Sequence, residues 1–361
     1  MKVMTILGTR PEIIRLSLVI RALDQSCDHI LVHTGQNYTD SLSKQFFDDL
    51  EVRDPDHYMG IRADSFGEQI GEIIAGTEKL MISEAPDRLL ILGDTNSGLS
   101  AITSKRLGIP VYHLEAGNRC YDDRVPEEIN RRIIDHSSDV LMPYTHRSKE
   151  NLVREGIQRE RIFVIGNPIF EVLKHYESSI NESTILVDLD IEPRNYFLVT
   201  MHRAENVDEI NRLRELALAL EKLTDLYKMP IICSLHPRTK SKMEAFGLSF
   251  SGGTVQYLEP LGFFDFVALE QQARCVLSDS GTVQEECAIF QTPNVTLRDV
   301  TERPETIEVG SNILSGTDCD RILATVKLVL GIDPNWKPPQ EYLTENTSNT
   351  ILKIVLGYRN H

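Results

Sequence analysis

Short apolar runs alternate along this chain with longer stretches in which apolar residues recur at helical spacing. Short continuous apolar runs are typical of strands buried on both faces in a parallel sheet. Strands that alternate with helices predict βαβ units with right-handed crossovers. In the first half the runs predict strands at 3–7, 30–33, 89–92, 109–112, 140–142 and 161–165. Helices are predicted from 10 toward 23 and over 65–82, 97–106 and 127–137.

The same pattern restarts in the second half, after a polar, acidic segment at 181–193 that we interpret as a linker. Strands are predicted at 196–200, 231–235, 255–257, 275–277 and 294–297, and a last helix at 346–358. The prediction is therefore an α/β chain with two Rossmann-like, doubly wound parallel-sheet domains. The first covers 1–170, with a C-terminal helix (346–361) packed on it, and the second covers 171–345.

Length and charge narrow the classes of function. The chain has 361 residues, enough for two cores, and a formal net charge of −16. Such a charge argues against nucleic acid or an anionic membrane as partner, although local arginines and helix N-termini can still bind a phosphate. The six cysteines lack any C-x-x-C pair, so we expect reduced thiols and no metal site. With no signal-peptide pattern and no long apolar run, a cytoplasmic protein is expected.

Three carboxylates in the first half follow predicted strands or open the next helix. Asp94 comes after the run at 89–92, Glu115 after the run at 109–112, and Glu127 near the start of the helix at 127–137. Open α/β sheets bind ligands at the carboxyl ends of their strands. Neighbouring carboxylates cannot all ionise cheaply, so their pKa values should separate, which suits proton removal and return at carbon. A helix cap or an ion pair is the structural alternative for each of them.

Basic residues accompany these carboxylates. Thr9 and Glu12 have capping-box spacing around Pro11, so Arg10 either belongs to a well-capped helix or helps the helix N-terminus to bind an anion. Two further arginines and a histidine that follows a predicted strand are candidates to stabilise a departing diphosphate. These three are Arg15, Arg131 and His202.

The second half carries a pattern that favours binding of a nucleoside diphosphate. The Ser280 hydroxyl and the amides of Gly281 and Thr282 can receive phosphates at a helix N-terminus, and Glu286 can accept from a ribose diol. An ordinary Asp- or Ser-capped helix is the alternative. The chain has no G-x-G-x-x-G and no Walker sequence, so a nicotinamide cofactor or a P-loop is not supported.

Two histidines each directly follow a predicted strand and stand beside arginines. They are His202 and His236. Burial in the core is the commoner fate of a single histidine, but this repeated position favours contact with a ligand. His113, inside a strand, is left open between a structural and a functional role.

Seven segments together resemble the non-hydrolysing UDP-N-acetylglucosamine 2-epimerase family. They are Gly-Thr-Arg-Pro-Glu at 8–12, Gly-Asp-Thr at 93–95, Glu-Ala-Gly at 115–117, Pro-Glu-Glu-x-Asn-Arg at 126–131, His-Arg-x-Glu-Asn at 202–206, Asp-Ser-Gly-x-x-Gln-Glu-Glu at 279–286 and Arg-Asp-x-Thr-Glu-Arg-Pro-Glu at 298–305. The resemblance implies a glycosyltransferase-B architecture with two domains that face a cleft, and usually a homodimer. It implies C2 epimerisation of a UDP-2-acetamido sugar by loss and re-addition of UDP through a 2-acetamidoglycal, without metal or nicotinamide.

The resemblance also implies residue roles. Catalysis falls to Asp94, Glu115 and Glu127, assisted by His202, with Arg15 where the family usually has lysine. UDP binding falls to Arg10, Ser280, Gly281, Thr282 and Glu286, with Arg131 and His236 nearby. Which carboxylate takes the proton is not assigned.

Several positions depart from the family pattern. Thr282 replaces a glycine, Ala204 an arginine, and the run 118–122 the usual Leu-Arg-Thr. Asn37 replaces a histidine in the segment that, in many bacterial members, belongs to an activating UDP-sugar site. These variants resemble the capsule and O-antigen subgroup that converts UDP-2-acetamido-2,6-dideoxy-L-talose to UDP-N-acetyl-L-fucosamine. A UDP-sugar transferase of the same architecture and a non-catalytic UDP-sugar sensor remain the alternatives of other classes.

Overall fold

A computed structural model describes residues 1–35, 40–63, 65–235, 237–247 and 255–358. The strands are β1 (Lys2–Leu7), β2 (Asp28–His33), β3 (His57–Tyr58), β4 (Arg88–Leu92), β5 (Val111–Leu114), β6 (Val140–Met142), β7 (Phe197–Met201), β8 (Ile231–Leu235), β9 (Val255–Leu258), β10 (Cys275–Ser278), β11 (Asn294–Thr296) and β12 (Asn312–Leu314). The helices are α1 (Arg10–Ser26), α2 (Asp40–Asp49), α3 (Phe66–Glu84), α4 (Ser100–Arg106), α5 (Pro126–Ser137), α6 (His146–Arg154), α7 (Pro168–His175), α8 (Glu177–Asn181), α9 (Ile185–Asp188), α10 (Ala204–Val207), α11 (Ile210–Tyr227), α12 (Pro237–Ala245), α13 (Phe263–Gln272), α14 (Gly281–Phe290), α15 (Pro304–Glu308), α16 (Cys319–Leu330) and α17 (Thr347–Gly357).

The chain divides into two compact units. Unit 1 comprises Met1–Lys174 and Glu341–His361, and unit 2 comprises His175–Gln340. In unit 1, α17 packs against α1. The Tyr112 hydroxyl on β5 donates to the Tyr358 carbonyl just beyond α17 at 2.5 Å.

Unit 1 contains a parallel sheet in the order β3-β2-β1-β4-β5-β6. Its strands read as apolar runs because both faces are covered: Met4, Ile6, Ile91 and Val111 are buried and pack with Ile134 of α5. The chain leaves β1 toward one side of the sheet and β4 toward the other, so a crevice opens between the loops that follow these two strands. We call this position the switch point of unit 1.

Unit 2 repeats this arrangement with the order β12-β11-β10-β7-β8-β9, again all parallel. Phe197 and Val199 of β7, Cys233 of β8 and Leu277 of β10 pack with Leu220 of α11 in its core. The switch point of unit 2 therefore lies between the loops that follow β7 and β10. Two six-stranded parallel sheets of this order confirm the predicted Rossmann-like fold class.

Two predictions about elements are wrong. No strand forms at 161–165: after a 3₁₀ turn at Arg159–Arg161, only Ile162 makes an isolated bridge, to Leu141 of β6. The segment 181–193 is not a linker, because it lies inside unit 2, where α8 and α9 pack against α13. Ile185 within this polar segment and Ile180 just before it have buried side chains, which give this part of the chain apolar surface that joins the core.

Some predictions concern residues outside the described ranges. His236 and Asn37 both lie there. Within those ranges, no helix has the length and apolar character needed to cross a membrane.

Candidate active site

The switch point of unit 1 is organised around the buried carboxylate of Glu12. This side chain accepts from the Gly8 amide at 3.0 Å and the Thr9 hydroxyl at 2.8 Å, both in the loop after β1. It also accepts from Ser97 at 2.8 Å and Thr95 at 3.2 Å, both in the segment after β4. Glu12 thus joins the two loops, a role that the sequence did not indicate.

The predicted capping box does not form. The Thr9 side chain accepts no hydrogen bond from the first turn of α1, because its hydroxyl donates to Glu12 instead. Burial raises the pKa of Glu12 to about 7, although the hydrogen bonds from Thr9 and Ser97 oppose the rise. The two closest donors to Glu12 are the hydroxyls of Thr9 and Ser97, which carry no charge. They therefore offset only part of the desolvation cost of the ionised carboxylate.

Asp94, two residues beyond β4, forms an ion pair with Arg131 of α5. Arg131 is buried and also donates to Glu128 at 3.1 Å. Asn130 fixes the same junction by donating to the Asp94 carbonyl at 3.0 Å. The N-terminal half of α5 is therefore fastened to the loop after β4, and Asp94 points at a guanidinium.

Glu115, directly after β5, forms a second pair of this kind. Its Oε2 accepts from Arg15 Nη1 at 2.9 Å, and both side chains are buried. The backbone of Glu115 has a φ of 65°, in the left-handed region that a residue with a Cβ seldom occupies. Strain of this type persists where the surroundings impose it and is concentrated at functional sites. The Arg15 guanidinium also lies 5.8 Å from the centre of the Tyr144 ring.

The remaining predicted residues of unit 1 lie at the starts of helices. Glu127 is half-buried in the first turn of α5, the helix that also carries Arg131. Arg10 opens α1, and its guanidinium lies 5.7 Å from the Phe46 ring centre. Burial lowers the pKa of Arg10 from its ordinary value. The structure thus brings Asp94 and Arg131 together, and Glu127 lies one helical turn before Arg131 on α5.

A buried network of hydrogen bonds and ion pairs around Asp135 holds the turn that begins at Glu115. Asp135 of α5 contacts His113 Nδ1 at 2.9 Å and Arg119 at 2.8 Å, and it accepts from the Gly117 amide at 3.2 Å. Burial opposes the charge on Asp135, but His113 and Arg119 outweigh it and lower its pKa. Asp135 therefore holds the turn that starts at Glu115, and His113, which the sequence left open, has a structural partner.

In unit 2 the switch point is organised around Asp279, directly after β10. Its fully buried carboxylate accepts from the His202 and Arg203 amides at 3.0 and 2.9 Å and from Asn206 Nδ2 at 3.1 Å. The His202 ring nitrogen Nδ1 lies 3.1 Å from Oδ1. Burial alone would raise the pKa of Asp279, but His202 and the Arg203 amide lower it to about 2. His202 is thereby held at the end of β7.

The N-terminus of α14 follows directly. The Ser280 side chain does not cap this helix, and its hydroxyl lies 2.9 Å from that of Thr282. At Gly281 a Cβ would lie 2.7 Å from Glu302 Oε1, so a larger residue here would have to displace the Glu302 carboxylate. Glu302 in turn accepts from Arg298 at 2.8 Å, and both are buried. The segment 298–305 thus supports the turn that presents Ser280.

Glu286 lies one turn further into α14 and is buried. The neighbouring helix α13 carries Glu270, a fully buried carboxyl group that accepts from the Cys287 thiol at 3.4 Å. The sequence pointed to Glu286 but not to Glu270, which lies outside the seven segments that resemble the family.

The residues missed at both switch points are Glu12 and Asp279. Each lies inside a segment quoted above, within five residues of a strand end, which was the available signal. Across the described ranges, no group of three or more His, Cys, Asp or Glu side chains is arranged to hold a metal ion.

Comparison with known proteins gives consistent matches. A family model described as UDP-N-acetylglucosamine 2-epimerase matches residues 21–356. A Methanocaldococcus jannaschii protein named UDP-N-acetylglucosamine 2-epimerase is 42% identical over 348 residues, which cover 94% of this chain and 95% of that protein. A Pseudomonas aeruginosa protein named UDP-2,3-diacetamido-2,3-dideoxy-D-glucuronate 2-epimerase is 35% identical over 336 residues, which cover 92% of this chain and 93% of that protein. The crystal structure of Methanocaldococcus jannaschii UDP-GlcNAc 2-epimerase in complex with UDP-GlcNAc and UDP is 40% identical, with a TM-score of 0.94 over 99% of each chain.

Proposed function

This chain belongs to the UDP-N-acetylglucosamine 2-epimerase family, and we propose that it inverts C2 of a UDP-2-acetamido sugar without hydrolysing it. A base removes the C2 proton, and the C1–O bond to UDP breaks with its electron pair leaving on the diphosphate. The product of this step is a 2-acetamidoglycal. UDP then adds back to C1 while a proton reaches C2 from the opposite face.

The observation that carries this proposal is the pair of carboxylate–arginine contacts at the carboxyl edge of unit 1. Asp94 pairs with Arg131, and Glu115 pairs with Arg15. An arginine at contact distance keeps a carboxylate ionised and in place, as a base at carbon requires. Glu127, in the first turn of α5, is the third candidate for proton transfer. One ionised carboxylate takes the proton from C2, so the group that returns a proton to the opposite face must be a second one, which carries a proton at that step.

In this proposal, residues of unit 2 bind UDP. The first-turn amides of α14 and the hydroxyls of Ser280 and Thr282 receive the diphosphate. Glu286 accepts from the ribose diol, and His202, held by Asp279, stabilises charge on the leaving diphosphate. Arg10 and His236 complete the predicted UDP contacts.

We also propose that the protein is a homodimer, which light scattering can test.

The sugar is the finer part of the proposal. UDP-N-acetylglucosamine, converted to UDP-N-acetylmannosamine, is the first candidate, as the names of the relatives suggest. A relative named for a diacetamido uronate indicates that close members differ in the sugar, so UDP-2-acetamido-2,6-dideoxy-L-talose is the second candidate. Offering each UDP-sugar separately and resolving the products by NMR decides between them.

The test of the reaction is turnover in deuterium oxide. Each epimerisation should place one deuterium at C2, without any added acceptor, because the proton exchanges with solvent. Protium retained at C2 during turnover would contradict the elimination route, and dependence on an acceptor would favour a transferase.

Variants of the carboxylates separate chemistry from binding. Asp94→Asn and Glu127→Gln should each lower kcat by about 10² to 10⁴ while the Kd for UDP changes by less than about threefold. Glu72→Gln, an exposed carboxylate on α3, is the matched control and should keep full kcat. Equal losses of kcat and UDP affinity would assign the two residues to binding instead.

A further inference from the structure

The imidazole ring of His113 lies between the loop that carries Asp94 and the turn that carries Glu115. His113 belongs to β5 and is buried. Its Nε2 lies 2.8 Å from the Gly93 carbonyl oxygen, and its Nδ1 lies 2.9 Å from Asp135 Oδ1. Gly93 directly precedes Asp94 in the chain. One ring therefore contacts the backbone beside one proposed catalytic carboxylate and, through Asp135, the turn that carries another.

Both contacts require the ring to donate. A carbonyl oxygen can only accept, so Nε2 must carry a hydrogen. Asp135 also accepts at Oδ2, from the Gly117 amide at 3.2 Å and from Arg119 at 2.8 Å. Burial alone would raise the pKa of Asp135, but His113 and Arg119 lower it, so the carboxylate is ionised. Nδ1 must then carry a hydrogen as well, and the ring of His113 is an imidazolium.

The neighbouring charges balance this buried cation. Arg119 makes two contacts with the carboxylate of Glu155, at 2.8 and 2.6 Å, besides its contact with Asp135. Two cations, His113 and Arg119, therefore face two anions, Asp135 and Glu155. Buried charges are sustained where they are paired and hydrogen-bonded. The network thus holds the ring in a form with two fixed donors.

The contact with Gly93 matters because this glycine leads the chain from β4 into the Asp94 loop. Its φ is 74°, in the left-handed region. Its amide donates to the Leu114 carbonyl at 2.9 Å, and its carbonyl faces the His113 ring. Leu114 ends β5, and Glu115 follows it directly. Both polar groups of the Gly93 backbone are therefore held by the strand that leads to Glu115.

We propose that His113 is a positioning residue for epimerisation: its imidazolium ties the Asp94 loop to the turn of Glu115 and so fixes the separation of these two carboxylates. Groups that act on opposite faces of one carbon need a fixed separation, because a displacement of about 1 Å can lower a rate by about 10²-fold. His113 acts through the two loops and does not contact the substrate. This inference deepens the proposed function and rests on Asp94 and Glu115 as proton-transfer groups.

Three variants of His113 separate its two contacts. His113→Leu removes both donors. The amide of His113→Asn reaches only to the depth of Nδ1, toward Asp135, whereas the amide of His113→Gln reaches to the depth of Nε2 and can donate to Gly93. The leucine and asparagine variants should each lower kcat by about 10- to 100-fold. The Kd for UDP, measured by isothermal titration calorimetry, should change by less than about threefold, because unit 2 is proposed to bind UDP. The glutamine variant should recover about fivefold or more of the lost kcat.

His29 offers a matched control on the same sheet. Its ring also contacts a carboxylate, Asp24, at 2.6 Å, and a group on the adjacent strand, the Thr5 hydroxyl, at 2.8 Å. It lies at the start of β2, at the edge of the sheet opposite the proposed site. His29→Leu should therefore keep full kcat.

Four kinetic outcomes would overturn the inference while the proposed function stands. They are full kcat in His113→Leu, equal kcat in His113→Gln and His113→Asn, an equal loss of kcat in His29→Leu, and a loss of UDP affinity as large as the loss of kcat. The comparison of glutamine with asparagine decides the question if the leucine variant does not fold.

A second readout needs no substrate. In ¹⁵N NMR spectra of histidine-labelled protein at pH 7, with His113→Gln used for assignment, both ring nitrogens of His113 should bear hydrogen. One bare nitrogen would overturn the inference and leave the proposed function standing. The proposed function has its own test. If the unmodified protein does not exchange the C2 proton in deuterium oxide, or if Asp94→Asn and Glu115→Gln keep full kcat, the proposed function fails and this inference fails with it.

Discussion

Both units place a buried carboxylate at the switch point of the same strand order, and the two carboxylates differ in pKa. In unit 1, Glu12 joins the loop after β1 to the segment after β4, with a pKa raised to about 7. In unit 2, Asp279 joins the loop after β10 to the loop after β7, with a pKa lowered to about 2. The two sheets have the same order, so the topology brings these loops together in each unit.

The hydrogen-bond donors around the two carboxylates account for the difference in their pKa values. Asp279 receives two backbone amides and the Asn206 side-chain amide, beside the His202 ring. Glu12 receives one backbone amide and three hydroxyls. An N–H group can only donate, whereas a hydroxyl can turn and accept. The shell around Asp279 therefore requires an anion, and the shell around Glu12 also suits the neutral acid.

This comparison separates what the fold decides from what the side chains decide. Strand order determines where loops meet and hence where an acidic residue can join them. The donor type then sets the protonation state of that residue. The consequence is that the two units should respond to pH in opposite directions, and each variant below tests one side of this contrast.

The largest effect is expected for Asp279→Asn. The new NH₂ group would face N–H donors that cannot accept from it, and the charge that lowers the pKa would be lost. A shift from 3.8 to about 2 corresponds to about 2 kcal/mol of stability above pH 4, and an orphaned donor adds about 1 to 3 kcal/mol. Urea unfolding at pH 7 should therefore show a loss of about 3 to 5 kcal/mol.

The pH dependence checks the origin of that loss. Because the folded-state pKa of Asp279 is lowered, its contribution is present above the ordinary Asp value and is lost as pH falls through about 2. At pH 3 the difference from the unmodified protein should be smaller by about 1 kcal/mol. Asp299→Asn, which breaks an exposed pair with Arg212, is the control and should cost less than about 1 kcal/mol. A loss of that size at Asp279 would refute the anionic shell.

Glu12→Gln should act in the opposite direction. Its folded-state pKa of about 7 lies above the ordinary 4.5, so its stability contribution is complete below pH 4.5 and is lost as pH rises through 7. The loss is about 3 kcal/mol in the unmodified protein. Glutamine cannot ionise, and its NH₂ group can meet the Ser97 and Thr95 oxygens while its carbonyl accepts from Gly8. The variant should therefore gain about 2.5 kcal/mol relative to the unmodified protein between pH 5 and pH 8.

The control for this variant is Glu51→Gln. Glu51 is exposed and pairs with Arg21 on the surface of unit 1, so its variant should show no change in relative stability over the same range. A parallel pair of pH profiles for Glu12→Gln and the unmodified protein would mean that Glu12 is ionised throughout, like Asp279.

Most strands of the two sheets could be predicted from the sequence, because the signals for a strand and for its end are local. Apolar runs that end at Gly8, Gly93 or Asp279 gave the sheets and the edge on which ligands are expected. The short strands β3 and β12 were missed, since two or three residues carry no readable period. The segment 181–193 was misread because composition does not reveal that Ile180 and Ile185 are buried.

The partners of the site residues could not be predicted, since they depend on distances between remote segments. Arg15 and Glu115 are a hundred residues apart in sequence yet pair at 2.9 Å. Sequence alone treated Arg15 as a group for the diphosphate and Glu115 as one of three equal acids. The spacing of motifs in the sequence predicts which edge of the sheet carries the site residues. Which of those residues pair with each other depends on how the chain packs.

The smallest effect is expected for Ser97→Ala. Ser97 donates to Glu12 Oε1 at 2.8 Å and leaves Thr95, at 3.2 Å, as the other donor to that oxygen. A lost donor to the ionised form raises the pKa of Glu12 further. The cost should therefore be about 1.5 kcal/mol at pH 8, where the carboxylate needs the donor, and about 0.5 kcal/mol at pH 5, where Glu12 is neutral.

Ser100→Ala gives the matched control for this last variant. Ser100 is also fully buried, but its hydroxyl has no hydrogen-bond partner among the described residues. Its removal should change stability by the same small amount at pH 5 and pH 8, because no ionisable group depends on it. If Ser97→Ala behaved in this way too, the hydroxyls would not set the protonation of Glu12. The contrast with the N–H shell of Asp279 would then need another cause, and the His202 ring beside Asp279 is the next candidate, because the two carboxylates are buried alike.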